Sequence, residues 1–162
     1  MKRRILAILL LAACLMTLLP ATAMAVPETE TRSKGGKLIA LTFDDGPGPY
    51  TRRLLEGLAK RGVKATFFML GQQAENYDVT AGLVRDAGHQ IASHTYDHPQ
   101  LSKKTDSQVM WQISHTADIL NGITGYGTHY LVRPPYGDYN SRVLSLLDNP
   151  AILWSVDPLD WK

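Results

Sequence analysis

Apolar runs alternate with amphipathic stretches along most of the chain. The apolar runs predict five short strands, at residues 38–43, 63–70, 89–93, 130–133 and 151–156. The first run is almost wholly apolar, which is typical of a strand buried on both faces of a sheet. The segments between the runs have a helical spacing of apolar residues and predict helices at 50–61, 74–87, 141–147 and in the stretch after Thr105.

The stretch after Thr105 has the strongest helical pattern. Its predicted apolar face consists of Val109, Ile113, Ala117 and Leu120. Asp106 or Ser107 can cap its start, and Gly122 lies near its end. Strands that alternate with helices in this way predict a parallel sheet built from βαβ units, either as a barrel or as an open α/β fold.

The first 25 residues differ from the rest of the chain. A basic segment at 2–4 precedes an apolar run at 5–19, and the small residues at 23–25 offer a cleavage position. This is the layout of a secretory signal peptide. We therefore expect residues 1–25 to be a signal peptide, 26–36 a linker and 37–162 one domain. The expected location is outside the cytoplasmic membrane, secreted or in the cell wall.

A lipoprotein leader is the alternative for this segment, with Cys14 as the lipid attachment site. The apolar run continues past Cys14, which favours simple cleavage after Ala25. Cleavage would remove the only cysteine, so that the mature domain would have neither a disulfide nor a thiolate ligand. It would also remove the only long apolar run, so we expect no membrane span in the mature chain.

Cleavage would leave about 137 residues, enough for one domain with a hydrophobic core. The leader holds three basic residues and no acidic ones, so the formal net charge would fall from +2 to about −1. A charge this close to zero predicts no nucleic-acid partner.

Polar side chains follow four of the five predicted strands. These residues are Asp44, Asp45, His94, His98, Arg133, Asp157 and Asp160. In βα folds the loops that leave the carboxyl ends of the strands converge over one mouth. The sequence therefore predicts that these side chains meet in a site at that edge.

Asp44 and Asp45 would divide two tasks between them. Successive side chains leave a strand on opposite faces, so we expect one carboxylate to bind a cation and the other to remain free to take a proton. His94 and His98 with one carboxylate would supply a donor set that suits catalytic Zn²⁺. Each pattern alone also has a plain structural interpretation, as a turn or as a pair of surface histidines.

The sequence allows two interpretations of Arg133. It is either a charged loop residue stiffened by the two prolines after it, or a guanidinium that pairs with the acid near the metal. His115 and His129 are expected to be structural. Trp154 and Trp161 are expected to pack against other residues unless a sugar binds here.

Taken together and in this order, four segments resemble the motifs of the NodB-homology polysaccharide deacetylases, carbohydrate esterase family 4. The segments are Thr42-Phe43-Asp44-Asp45-Gly46-Pro47, Ser93-His94-Thr95-Tyr96-Asp97-His98, Arg133-Pro134-Pro135-Tyr136 and Asp157-Pro158-Leu159-Asp160-Trp161. The resemblance extends over about 120 residues. It implies an α/β fold of the distorted (β/α) barrel type, of which about five βα units are present.

The resemblance implies an enzyme that removes acetyl groups, N-acetyl in our prediction, from an acetylated polysaccharide such as peptidoglycan or a chitin-like glycan. The cofactor would be a divalent metal, Zn²⁺ in our prediction, which activates water. The implied metal ligands are Asp45, His94 and His98. The implied catalytic residues are Asp44, Arg133 and Asp160, and the implied contacts to substrate or oxyanion are Pro134, Tyr136 and Trp161.

The resemblance also implies how these residues act. Asp44 would be the general base, and Arg133 would hold it ionised and oriented. The backbone amide of Tyr136 would help to stabilise the oxyanion. In the family a fifth motif, Leu-x-His, provides a histidine that protonates the leaving amine, and the aspartate equivalent to Asp160 orients that histidine.

The printed sequence stops at Lys162 without a Leu-x-His segment. We therefore expect the chain to be a C-terminally incomplete form of such a domain. Two alternatives to an active deacetylase stay open. One is a truncated remnant that keeps metal or glycan binding with little turnover, and the other is a non-catalytic glycan-binding or metal-binding module.

Overall fold

A computed structural model describes residues 37–127 and 129–162 of the 162-residue chain. The predicted signal peptide at 1–25, with Cys14, and the predicted linker at 26–36 lie outside the described residues. No helix within the described ranges combines the length and the apolar character that crossing a bilayer requires.

Three parallel strands form the sheet in chain order. They are β1 (Thr42–Asp44), β2 (Thr66–Met69) and β3 (Gln90–Ser93). The register aligns Thr42 with Thr66 and Thr66 with Gln90. Parallel bridges from Ser93 to Val132 and from Val132 to Ala151 continue the same order. The five predicted strand positions are thus neighbours in sequence order, which confirms the predicted parallel α/β fold.

Helices connect these strands. They are α1 (Thr51–Lys60), α2 (Gly71–Asn76), α3 (Asp78–Asp86), α4 (Asp106–Thr124) and α5 (Ser141–Leu144), with short 3₁₀ turns at Leu101–Lys103 and Pro135–Gly137. The single helix predicted at 74–87 is wrong. Tyr77 has non-helical backbone angles (φ −130°, ψ 42°) and separates α2 from α3.

Both ends of the sheet differ from the prediction. β1 begins at Thr42 rather than at residue 38, and its residues are half-buried or exposed rather than buried on both faces. The strands predicted at 130–133 and 151–156 are reduced to isolated bridges at Val132 and Ala151, and residues 153–156 are exposed. A strand is buried only when neighbours cover it, and among the described residues β1 and the segment after Ala151 lie at the two edges of the sheet, whereas Val132 lies between Ser93 and Ala151 and is buried.

The main core lies between the sheet and the helices. Its buried members are Leu58, Ala65, Phe67, Met69, Ala74, Ala81, Val84, Ile91, Leu120 and Tyr130. Along β2 the side chains alternate between faces, so Phe67 and Met69 belong to this core while Phe68 lies under the guanidinium of Arg133. The two faces of β2 therefore have separate tasks, one in packing and one in supporting the site.

The N-terminal cap of α4 is Thr105, not Asp106 or Ser107. Its hydroxyl accepts a hydrogen bond from the Gln108 amide (3.3 Å), and the Gln108 side chain accepts one from the Thr105 amide (3.0 Å). This reciprocal pair is a capping box, which satisfies two amides that the helix itself leaves free. The helix ends at Gly125, whose φ of 70° is left-handed, and Gly122 lies inside it.

The buried face of α4 also differs from the prediction. It consists of Val109, Gln112, Thr116, Leu120 and Thr124, whereas Ile113 and Ala117 are only partly buried. The apolar pattern missed this face because three of its five members are polar. Their polar atoms form hydrogen bonds inside the protein, which makes their burial possible.

We expect the protein to lose stability below about pH 6.5 through His89. His89 is 5% exposed, and its Nδ1 accepts a hydrogen bond from the Ala65 amide (3.1 Å). Burial, with a smaller contribution from the charge of Lys64, lowers the pKa of His89 in the folded state. The unfolded chain therefore binds this proton more readily than the folded protein does. The stability that depends on a neutral His89 is fully present above the pKa that His89 has in the unfolded chain, and it is lost as the pH falls towards the lower pKa of the folded state.

Urea denaturation between pH 8 and pH 5 tests this expectation. The control is His89→Asn, which keeps an acceptor near the position of Nδ1 but does not titrate. The free energy of unfolding is expected to fall more steeply for the wild-type protein than for this variant over that interval. Parallel curves would show that His89 does not carry the pH dependence.

Candidate metal centre

Asp45, His94 and His98 come together at the carboxyl end of the sheet. One potential ligand atom of each lies within 4.8 Å of the others. Asp45 Oδ1 is 3.6 Å from His94 Nε2 and 3.4 Å from His98 Nε2. Asp45 follows β1 and the histidines follow β3, so strands at two positions of the sheet supply the donors. Two imidazole nitrogens and one carboxylate oxygen are a donor set that fits a divalent transition metal.

The imidazole of His94 is held in one orientation. Its Nδ1 lies 2.7 Å from the carbonyl oxygen of Arg133. A carbonyl oxygen only accepts, so Nδ1 carries the proton and Nε2 presents its lone pair towards Asp45 and His98. Burial lowers the pKa of His94, against the opposing charge of Asp44, which keeps the ring neutral and able to bind a metal.

Four residues of the site have left-handed backbone conformations. The φ angles are 66° at Asp45, 71° at Thr95, 64° at His98 and 61° at Tyr136. Such conformations cost about 1–3 kcal/mol each for residues other than glycine and persist only where the surroundings impose them. The turn at Asp45 directs its carboxylate to the histidines, while Asp44 is directed to Arg133.

Asp44 pairs with the buried guanidinium of Arg133. Arg133 is 3% exposed, and its Nη1 donates to Asp44 Oδ1 (2.6 Å) and to Thr42 Oγ1 (2.9 Å). The other oxygen, Asp44 Oδ2, is 4.0 Å from His94 Nε2. One carboxylate oxygen of Asp44 is therefore anchored, and the other is turned towards the candidate ligand His94.

Arg133 is also held from its other sides. Its Nε and Nη2 donate to the carbonyls of Ile152 (3.3 Å) and Leu153 (3.2 Å), and its Cζ lies 3.9 Å from the ring centroid of Phe68. The indole of Trp154 packs at 5.8 Å on the same guanidinium. Arg133 thus joins β1, β2 and the segment after Ala151, and it is more than a loop residue.

Tyr136 lies beside the candidate metal ligands. Its ring packs edge-on against His98 with centroids 4.5 Å apart, and the residue is 63% exposed. Pro134, which precedes it, is fully buried. The ring of Tyr136 is thus open to solvent, while Pro134 packs inside the protein, and the contact of either residue with substrate or oxyanion stays a prediction.

Asp160 and Trp161 are exposed in the structure. Trp161 Nε1 donates to Asp157 Oδ2 (3.5 Å), and Asp157 Oδ1 accepts from the Leu159 amide (2.9 Å). Within residues 37–127 and 129–162, no hydrogen bond or ion pair joins Asp160 or Trp161 to the residues around Asp44. The fourth motif forms a local turn of its own.

His115 and His129 make contacts away from the three ligands. The ring of His115 stacks on Trp111 at 4.8 Å and contacts Tyr96 at 5.0 Å. His129 Nδ1 lies 3.0 Å from Asp148 Oδ2. Neither histidine belongs to the group of three candidate ligands, and the structural roles expected for them stay predictions.

Two residues that support the site were missed by the sequence analysis, Thr42 and Gln112. Thr42 precedes Asp44 by two residues on β1, so both side chains lie on the same face and reach Arg133. The alternation rule for strands is a signal that could have identified it. Gln112 contacts the loop between the histidines. In the sequence it stands out only as a polar residue three positions after Val109, at the spacing of the buried helix face.

Gly71 gives the loop between the histidines room to pack. A Cβ atom there would lie 2.8 Å from Tyr96 Cδ2 and 2.9 Å from Thr116 Oγ1. We expect Gly71→Ala to lower the free energy of unfolding by about 1–3 kcal/mol through overpacking, although alanine favours helices. The control is Gly122→Ala, because nothing lies within 4 Å of a Cβ at Gly122. Urea denaturation measures the free energy of unfolding of both variants, and equal losses in the two would contradict the expectation.

The fold and the site define a class of protein. It is an α/β domain with a candidate metal centre and a buried Arg–Asp pair at the carboxyl end of a parallel sheet. A sequence profile described as polysaccharide deacetylase matches residues 31–150, which contain the first three motifs. The chain belongs to the polysaccharide deacetylase family.

Known relatives agree with this assignment. Peptidoglycan-N-acetylmuramic acid deacetylase PdaC of Bacillus subtilis (strain 168) is 40% identical over 140 residues, which cover 86% of this chain and 30% of the relative. A peptidoglycan-N-acetylglucosamine deacetylase of Bacillus cereus is 41% identical over 128 residues, or 76% of this chain and 46% of the relative. The chain thus spans less than half the length of these relatives.

A solved structure of peptidoglycan deacetylase PdaC from Bacillus subtilis superposes on the fold. The TM-score is 0.75 at 41% identity, over 78% of this chain and 63% of that one. The predicted membership and fold class, part of a distorted (β/α) barrel, are confirmed.

Proposed function

We propose that this chain belongs to a secreted, metal-dependent polysaccharide deacetylase that hydrolyses N-acetyl groups on peptidoglycan or a chitin-like glycan. One observation carries the proposal. The carboxylate of Asp44 is anchored through one oxygen by Arg133 (2.6 Å), and its other oxygen lies 4.0 Å from Nε2 of His94, a candidate ligand. A general base beside a metal site is an arrangement that can activate water to hydrolyse an amide.

The donor set fits the implied metal. Asp45, His94 and His98 offer one oxygen and two neutral nitrogens, and such three-residue sites suit exchangeable catalytic Zn²⁺. When bound, a divalent cation supplies a Lewis acid that polarises the acetyl carbonyl and lowers the pKa of water. The hydrogen bond from His94 Nδ1 to the Arg133 carbonyl presets this ligand before any metal binds.

The chain's own residues then have separate roles. The free oxygen of Asp44 accepts the proton of the attacking water, because Arg133 already occupies the other oxygen. That proton is then available to the amine, which departs as the C–N bond breaks. The backbone amide of Tyr136 donates to the acetyl oxygen as negative charge develops on it. The exposed ring of Tyr136, fixed against His98, forms one wall for the sugar.

Acetate release tests this function. The full chain, loaded with Zn²⁺, is incubated with purified peptidoglycan and with a fully acetylated chitooligosaccharide. Acetate is expected from at least one substrate and is expected to disappear with a chelator. Glycan binding without acetate would instead favour the non-catalytic binding module, and neither binding nor acetate would overturn the proposal.

Secretion is part of the proposal and rests on the pattern of residues 1–25. Expression of the full chain in a bacterium tests it. Mass spectrometry of the exported protein is expected to find an N-terminus at Val26. A lipid attached at Cys14 would support the lipoprotein alternative, and a cytoplasmic, uncleaved product would overturn export.

A further inference from the structure

We infer that Gln112 is a positioning residue of the candidate metal centre, because its buried carboxamide fixes the turn that sets His98 relative to His94. The inference rests on the proposed metal site and adds to it a determinant of metal affinity. Gln112 lies on α4 and is 5% exposed. It belongs to none of the four motifs.

Both ends of the Gln112 carboxamide bind the segment between the histidines. Its Oε1 accepts hydrogen bonds from the amides of Tyr96 (2.8 Å) and Asp97 (3.3 Å). Its Nε2 donates to Asp97 Oδ1 (2.7 Å). One side chain thus satisfies two consecutive backbone amides and a carboxylate, an arrangement that only a residue with an acceptor and a donor at its tip can provide.

This segment cannot position His98 by itself. A pair of histidines four residues apart on a helix would face the same side through helical geometry. Residues 94–98 are not helical, and left-handed angles at Thr95 (φ 71°) and His98 (φ 64°) reverse the chain. Because such angles are unfavourable, the turn depends on contacts from outside it.

Those contacts come from two helices. On the carbonyl side, the amides of Gly71 and Gln72 at the start of α2 donate to the carbonyls of Thr95 (2.9 Å) and Tyr96 (3.1 Å). On the amide side, Gln112 of α4 provides the acceptor. Removing Gln112 would leave the amide side of the turn without its partner.

The two histidines differ in how far they depend on this support. His94 has anchors of its own, since its amide donates to the Met69 carbonyl (2.8 Å) and its Nδ1 binds the Arg133 carbonyl (2.7 Å). His98 follows the supported turn directly and is partly exposed. Loss of Gln112 is therefore expected to displace His98 relative to Asp45 and His94.

The experiment measures metal binding without any substrate. We expect Gln112→Leu to raise the Zn²⁺ Kd about 10- to 100-fold, as loss of outer-shell support does in metal sites, and to change the visible absorption of the Co²⁺-loaded protein. Zn²⁺ affinity is measured by competition with a chromophoric chelator. Thermal unfolding of the metal-free protein is recorded in parallel.

Thr124→Val is the matched control on the same helix. It removes a buried hydrogen bond between the Thr124 hydroxyl and Tyr130 (2.6 Å) near the other end of α4. This variant is expected to lower the Tm while leaving the Zn²⁺ Kd and the Co²⁺ spectrum unchanged. A general loss of stability would affect both variants alike, so equal losses of affinity would overturn the inference.

A second pair of variants keeps the test valid if Gln112→Leu does not fold. Gln112→Glu keeps the acceptor for the amides but places a carboxylate against Asp97, and it is expected to weaken Zn²⁺ binding. Combining it with Asp97→Asn lets the amide at position 97 donate to the carboxylate at 112, which is expected to restore the affinity. An absence of rescue, with both proteins folded, would contradict the inference.

The outcomes separate the inference from the proposed function. If the wild-type protein binds Zn²⁺ and Gln112→Leu binds it within twofold of the same Kd, the inference is wrong and the metal site stands. If the wild-type protein takes up neither Zn²⁺ nor Co²⁺, the proposed metal site is wrong and the inference is overturned with it.

Discussion

Asp44→Asn is expected to lower kcat for acetate release by about 10²- to 10⁴-fold while leaving the Zn²⁺ Kd within a few-fold of the wild-type value. The asparagine carbonyl can still accept the hydrogen bond from Arg133, but its amide cannot take a proton from water. Kinetics on a chitooligosaccharide or on soluble peptidoglycan fragments measure the first quantity, and chelator competition measures the second.

The matched control is Asp45→Asn, one residue further on. The Asp45 carboxylate lies 3.4 Å from His98 Nε2 and 3.6 Å from His94 Nε2. Its replacement is therefore expected to weaken Zn²⁺ binding directly and to lower activity as a consequence. Excess Zn²⁺ is expected to restore part of its activity and none of that of Asp44→Asn. If both variants lost the metal equally, Asp44 would be a ligand and the assignment of the base would be wrong.

Arg133→Met is expected to lower the free energy of unfolding by about 3–5 kcal/mol. The variant leaves Asp44 without its cation and frees the carbonyls of Ile152 and Leu153, which Arg133 binds now. Loss of acetate release is expected as well, because Asp44 would no longer be oriented. Urea denaturation at neutral pH measures the change in the free energy of unfolding.

Arg142→Met provides the comparison for this effect. Arg142 makes an equally short ion pair, 2.6 Å to Asp106, and also donates to the carbonyls of Ser102 and Lys104. Its side chain is more than one-third exposed, so water can replace these contacts and the expected loss is about 1 kcal/mol or less. Similar losses for the two variants would mean that burial adds nothing to the Arg133–Asp44 pair.

Much of the site could be predicted from the sequence because of a general property of parallel sheets. Each strand in a βα fold runs in the same direction, so residues that follow different strands arrive at the same edge. Asp44 at the end of β1 and Asp45 just after it, His94 and His98 after β3, and Arg133 beyond them needed no further information to be placed together. The order of the four motifs also indicated the family to which the chain belongs.

The details of burial could not be predicted in the same way. The segment 151–156 is as apolar as a buried strand, yet only Ala151 bridges to a neighbour and residues 153–156 are exposed. The buried face of α4 contains Gln112 and Thr116, which an apolar pattern does not identify. Burial depends on which partner covers a residue, and polar residues enter a core when a distant partner satisfies them.

The sequence by itself determined which chemical groups this protein brings to one edge of its sheet: two carboxylates, two imidazoles and a guanidinium. Only the tertiary structure decided what each group does there. It assigned Asp44 to Arg133, 89 residues away, and set the tautomer of His94 through a carbonyl 39 residues away. It also gave Gln112 its place beside the loop of the histidines. These hydrogen bonds join segments far apart in sequence, and their geometry arises from packing, which residue spacing alone does not encode.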